Sequence, residues 1–127
     1  MTTPTPITAL SAVTLAVRDM GASVAWYEAL GFVRRYGGAG AFFTSYAVGA
    51  GYLNLEASGG AAEARRGGWG RIVFHVADVD ALHVRAVQAG LRPEAAPRDA
   101  EWGERYFHIV DPDGHELSFA RPIERSR

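Results

Sequence analysis

Side chains able to do chemistry are few in this chain of 127 residues, and most fall on alternate positions of strand-like runs. The histidines are His75, His83, His108 and His115, accompanied by 14 acidic and 13 basic residues, the latter all arginine. There is no cysteine, which excludes disulfides and thiolate metal sites. What remains is imidazole, carboxylate and guanidinium. His75, His108, Glu56 and Glu116 could hold a divalent ion, and either histidine could act as a general acid or base, because imidazole titrates near neutrality. The other reading of the same four groups is polar lining of a pocket, or a rim paired with Arg71 or Arg105. His83 and His115 read as surface residues of a helix and a turn.

Strand alternation puts Thr14, Asn54, Glu56, Arg71, His75, Tyr106, His108, Glu116 and Ser118 on one face. Phe42, Tyr52 and Trp102 add aromatic surface. Apolar and aromatic bulk with a few placed polar groups is the make-up of a small-molecule site. Arg71 could take a carboxylate, phenolate or carbonyl oxygen of a ligand in its fork, or form an internal salt bridge to Glu56 or Glu116. Trp102 could stack on a flat ring or plug a core edge. Trp26 and Tyr27 read as packing residues.

The elements that position these groups come from an internal repeat. Residues 12–18 alternate and are β-branched, as a half-buried strand requires. Asp19 then caps a helix in which Met20, Val24, Tyr27 and Leu30 recur at helical spacing, and Gly31 ends it. A shift of 59 residues restores the pattern without a gap: a strand at 71–76, Asp78 as cap, Val79, Leu82, Ala86 and Ala89 as the stripe, Gly90 as stop. Three strand-like runs follow each helix, at 32–36, 41–47 and 52–57, then near Leu91, at 104–110 and at 115–120. The chain is therefore expected to be α+β, two βαβββ modules forming a cupped mixed sheet with helices on its outer face. Module 1 spans about 8–58 and module 2 about 69–122, with a Gly/Ala-rich linker at 59–68.

Asp111-Pro112-Asp113-Gly114 suits a three-residue hairpin loop closed by a left-handed glycine. In that register Asp111 faces His115, His108 faces Ser118 and Tyr106 faces Ala120, while Phe107, Ile109, Leu117 and Phe119 turn to the helices.

Hydrophobic residues make up 48% of the sequence, enough for one domain with its own core. No basic residue precedes Arg18, no apolar run reaches membrane-spanning length, and the net charge is -1 with scattered arginines. A secretory leader, a membrane span and a nucleic-acid partner are not expected, and a cytoplasmic location is.

The segments TLAVRDMGASVAWYEALGF at 14–32, RIVFHVADVDAL at 71–82 and WGERYFHIVDPDGHELSFARP at 102–122, in order and on the repeat, resemble the glyoxalase, bleomycin-resistance and extradiol-dioxygenase group, the vicinal oxygen chelate fold. That resemblance implies a divalent metal on the concave face of the enzymes, with ligands from the first and last strand of each module. Those positions fall here on Ala12, Asn54, Arg71 and Ser118. Alanine has no donor atom, guanidinium is a permanent cation, and Asn and Ser offer weak neutral oxygens. The resemblance also implies a homodimer whose cavities are completed across the interface, and, for the bleomycin-resistance type, drug sequestration without chemical change.

The expectation is accordingly a metal-independent binding protein with no cofactor. Its ligand would be aromatic or amphipathic, and antibiotic resistance by sequestration a fitting role. The alternative is an enzyme: a lyase, isomerase or oxygenase on a rearranged metal site, or a metal-free catalyst using His75 or His108.

Overall fold

The computed structural model describes residues 6–58 and 70–123; the expected linker at 59–68 lies outside the described residues. The elements run β1 (Ala12–Val17), α1 (Met20–Ala29), β2 (Val33–Tyr36), β3 (Phe43–Val48) and β4 (Gly51–Ala57), then β5 (Arg71–His75), α2 (Val79–Gln88), β6 (Arg98–Asp99), β7 (Glu104–Val110) and β8 (Glu116–Pro122). They form two four-stranded mixed sheets of the same order, β1-β4-β3-β2 and β5-β8-β7-β6. Each outer pair β1/β4 and β5/β8 is parallel, and the remaining pairs are antiparallel. The α+β class and the duplicated module both stand.

The 59-residue shift holds atom by atom at the helix ends. Asp19 Oδ1 accepts the Ala22 N–H at 3.1 Å, and Asp78 Oδ1 accepts the Ala81 N–H at 2.9 Å. Each carboxylate thus satisfies a donor that the helix itself cannot. At the other end Gly31 and Gly90 take φ of +103° and +85°. Phe32 then donates to Tyr27 O and Leu91 to Ala86 O, the six-to-one bond that closes a helix through a left-handed residue.

Alternation sends Leu15, Val17, Leu53 and Leu55 under α1, and Phe107, Ile109, Leu117 and Phe119 under α2, all buried. Phe32 joins the two cores, with ring centroids 5.3 Å from Tyr27 and from Phe74 and 6.2 Å from Phe119. A buried polar clamp also crosses between modules: the Tyr27 hydroxyl donates to Asp111 Oδ2 at 2.6 Å. Asp111 Oδ1 in turn accepts the Asp113 and His115 N–H groups, each at 2.8 Å. The hairpin register is the expected one, with Tyr106 opposite Ala120 and His108 opposite Ser118, and Gly114 at φ +90°.

Three expectations need correction. The run near Leu91 is not a strand; its place is taken by the two-residue β6, because a backbone interrupted by Pro93 and Pro97 cannot ladder continuously. His83 is packed edge-on against Phe107 at 5.2 Å, and His115 Nε2 lies 2.9 Å from Ala16 O across the module boundary. Neither is a bare surface group.

Candidate functional site

On the face of the second sheet turned away from α2, register sets the neighbours. Arg71 lies beside Glu116, Val73 beside Ser118 with His108 beyond it, and His75 beside Ala120 with Tyr106 beyond. Arg71 Nε donates to Glu116 Oε1 at 3.2 Å, so of the two partners expected the structure selects Glu116. Both side chains stay well exposed, and such a pair contributes at most about 1 kcal/mol.

Three rings follow one another along β7 and the turn before it. Trp102 is 5.7 Å from Tyr106, and Tyr106 is 4.9 Å from His108. The Arg98 guanidinium covers Tyr106 at 4.5 Å and donates to its hydroxyl at 3.0 Å. Trp102 itself is 68% exposed, an open stacking surface. Its indole N–H donates to Glu104 Oε1 at 3.1 Å, and Glu104 Oε2 meets His75 Nε2 at 2.9 Å. The bonds from His75 and then Trp102 hold the Glu104 carboxyl below the usual range. It is therefore the acceptor of the His75 bond, and His75 Nε2 donates it. Burial, with the Arg71 charge next, pushes the His108 imidazole down, which keeps it neutral at pH 7. Its Nδ1 is buried with no hydrogen-bond partner among the described residues.

The first sheet presents a second group. Asn54 donates to Thr14 Oγ1 at 3.2 Å, opposite Ser45 on the next strand. The Arg35 guanidinium lies 5.6 Å from the Tyr52 ring. Glu56 is paired in register with Phe43. Phe42 lies just before β3 and is exposed; Phe43 shares the row of Glu56, because directly opposed residues share a face. No strand of one sheet is hydrogen-bonded to a strand of the other among the described residues. The twelve expected site residues therefore divide between two faces instead of lining one continuous sheet: Thr14, Tyr52, Asn54 and Glu56, with Phe42 beside them, on the first, and the other seven on the second.

Glu104, Arg98 and Phe43 were missed. Glu104 carried a readable signal, since it alternates with Tyr106 and His108. Arg98 did not, because the β6 segment has no strand period. Among the described residues, two cavities lie where the modules meet. One, of about 300 Å³, takes in Ala12, Tyr52 and Val73; the other, of about 400 Å³, takes in His75.

The metal implied by the resemblance does not fit this donor set. Of the four inherited positions, Ala12 and Arg71 have no usable lone pair, Asn54 offers only a neutral amide oxygen, and Ser118 is a buried hydroxyl. Among the described residues no three His, Asp or Glu side chains converge as a metal would require. His75 is bound to Glu104, Glu116 to Arg71, and Glu56 lies on the other sheet.

The family model described as Glyoxalase/Bleomycin resistance protein/Dioxygenase superfamily matches residues 9–119. No curated protein sequence matches the chain. Among solved structures, a bleomycin-binding protein complexed with bleomycin is 24% identical, with 91% of this chain and 98% of that one covered at a TM-score of 0.67. A bleomycin resistance determinant encoded on transposon Tn5 gives 24%, 91%, 98% and 0.71 for the same quantities. A lactoylglutathione lyase from Agrobacterium tumefaciens gives 20%, 91%, 95% and 0.73. At such identities the likeness establishes the fold, and the fold hosts both binders and enzymes.

Proposed function

Because the chain belongs to the glyoxalase/bleomycin resistance protein/dioxygenase superfamily, we propose that it is one of the members that hold a small aromatic molecule without a metal. The observation that carries this reading is the substitution of the inherited ligand positions by groups unable to hold a cation. Beside them stands a row of rings, exposed at Trp102 and half-buried at Tyr106 and His108. A flat ligand stacks on Trp102, while Arg71, released from Glu116 at small cost, takes a carboxylate or phenolate oxygen in its fork. Thr14, Tyr52, Asn54, Glu56 and Phe42 complete the enclosure from a second copy of the chain, which covers the exposed apolar Val73 and Val110. Sequestration of an antibiotic in the cytoplasm is the role that fits, in keeping with the two bleomycin-related structures of the same fold.

The His75–Glu104 pair favours a second reading. An imidazole whose Nε2 is oriented by an ionised carboxylate leaves Nδ1 as the nitrogen that would act as a general base. Incubation with a panel of aromatic natural products, bleomycin included, followed by mass spectrometry of the recovered compounds, separates the two. Binding returns the ligand unaltered; a changed mass or isomer means catalysis. Arg71→Met should weaken an acidic ligand by about tenfold, the contribution of a charge-assisted bond. Unchanged affinity would remove Arg71 from the site.

A further inference from the structure

Beside the open face of the second sheet, which it meets at His75, the 400 Å³ cavity at the module junction has the size of a ligand site, about 300–1,000 Å³. Leu30, Phe32 and Val48 wall it from the first module, and Phe74, Leu82 and Phe119 from the second. Three titratable side chains also line it, His75, Asp78 and Arg85. His75 is bonded to Glu104, and the Asp78 carboxylate is occupied in capping α2. Arg85 Nε donates to Ala29 O at the end of α1, at 2.9 Å.

The guanidinium of Arg85 lies over Gly31, where an added Cβ would stand 3.3 Å from Cζ and Nη1. Gly31 is thus favoured by its positive φ, and its missing side chain leaves the guanidinium room to lie close. The single Nε bond uses one of five N–H donors, and neither terminal nitrogen of Arg85 has a hydrogen-bond partner among the described residues. Asp78, the cap, Leu82 and Arg85 fall on one stripe of the helix, with the backbone positions of Asp78 and Arg85 about 10 Å apart along its axis. One end of an open apolar pocket therefore offers two unpartnered nitrogens, with four N–H donors between them, on a permanent charge, and Asp78 stands two helical turns away.

We propose that this junction is a second ligand site, separate from the ring row of Trp102, Tyr106 and His108, which takes a small amphipathic anion. Its carboxylate is held by the terminal nitrogens of Arg85 and its apolar body lies among Phe32, Phe74, Leu82 and Phe119. An acid satisfies the fork with two parallel bonds; an alcohol of the same length leaves the charge unanswered, and an amine repels it.

Octanoate, octanol and octylamine serve as probes, followed by amide chemical shifts of the wild-type chain. Octanoate should shift Gly31, Phe32, Leu82 and Phe119 saturably, octanol should bind about tenfold more weakly, and octylamine not at all. In Arg85→Met the octanoate affinity should fall to that of octanol. Because Arg85 also supports the end of α1, the wild-type mapping decides alone if that variant fails to fold. Absence of octanoate binding, shifts confined to Trp102, Tyr106 and His108, or equal affinity for octylamine would each overturn the proposal. So would shifts of the cavity amides on dilution without any probe, since a second copy of the chain would then be the occupant.

Discussion

Replacing Tyr27 with Phe removes one oxygen from the interior and tests how the two modules are held together. The hydroxyl donates to Asp111 Oδ2 at 2.6 Å, and both residues are buried, at 0% and 4% exposure. Without it Oδ2 has no donor, while Oδ1 keeps the N–H groups of Asp113 and His115. A hydrogen bond to a charged acceptor is worth about 1.5–3 kcal/mol, against about 1 kcal/mol for a neutral one. The loss at pH 7 is therefore about 2 kcal/mol, which lowers the melting midpoint by roughly 6–10 °C for a chain of this size. Burial raises the Asp111 carboxyl above its ordinary range. The folded state thus binds that proton more tightly than the unfolded one, and stability from this group is greatest at low pH and lost as pH rises through the raised value. On acidification Asp111 becomes neutral at a higher pH than an ordinary carboxyl does, and the gap between wild type and variant should then narrow to about 1 kcal/mol. Urea unfolding at several pH values, with unchanged slope in denaturant, reads both numbers. A variant within about 0.5 kcal/mol of wild type at pH 7, or a gap that widens on acidification, would refute the clamp.

Alkaline unfolding follows from the same interior. Burial, then the charge of Asp111, holds the Tyr27 phenol well above its usual value, and burial, then Glu28, does the same for Tyr46. Above about pH 10 the unfolded chain releases these protons and the folded one keeps them, so stability should fall by about 1.4 kcal/mol per pH unit for each tyrosine. Denaturant titrations between pH 10 and 11 measure the slope, and Tyr27→Phe should halve it. Asp19→Ala and Asp78→Ala should each cost about 1 kcal/mol, and their sum should appear in the double variant because the two caps share no partner. Thermal melts of all three variants check the additivity.

Local chemistry made half of this molecule legible. Asp19 and Asp78 announce helix starts by type, Gly31 and Gly90 announce their ends, and the Asp111–Gly114 turn fixes a register that propagates along β7 and β8. Those signals live within a few residues of chain. The Tyr27–Asp111 bond joins positions 84 apart in sequence, and nothing near either residue announces the other. The same limit applies to the site: alternation says which side chains leave the helix-covered face, but not that Thr14 and Arg71 belong to sheets with no shared hydrogen bonds. Phe43, in place of Phe42, took up the row of Glu56 because β3 begins one residue later than the exposed aromatic.

The central claim is that an organic guest is held here without a cation, and a titration of tryptophan fluorescence tests it most directly. Aromatic natural products would be added to the chain with and without excess EDTA, using Trp102→Phe to assign the signal. The same dissociation constant under both conditions, with quenching lost in the variant, is the predicted result. Affinity that disappears with the chelator and returns with a divalent ion would contradict it.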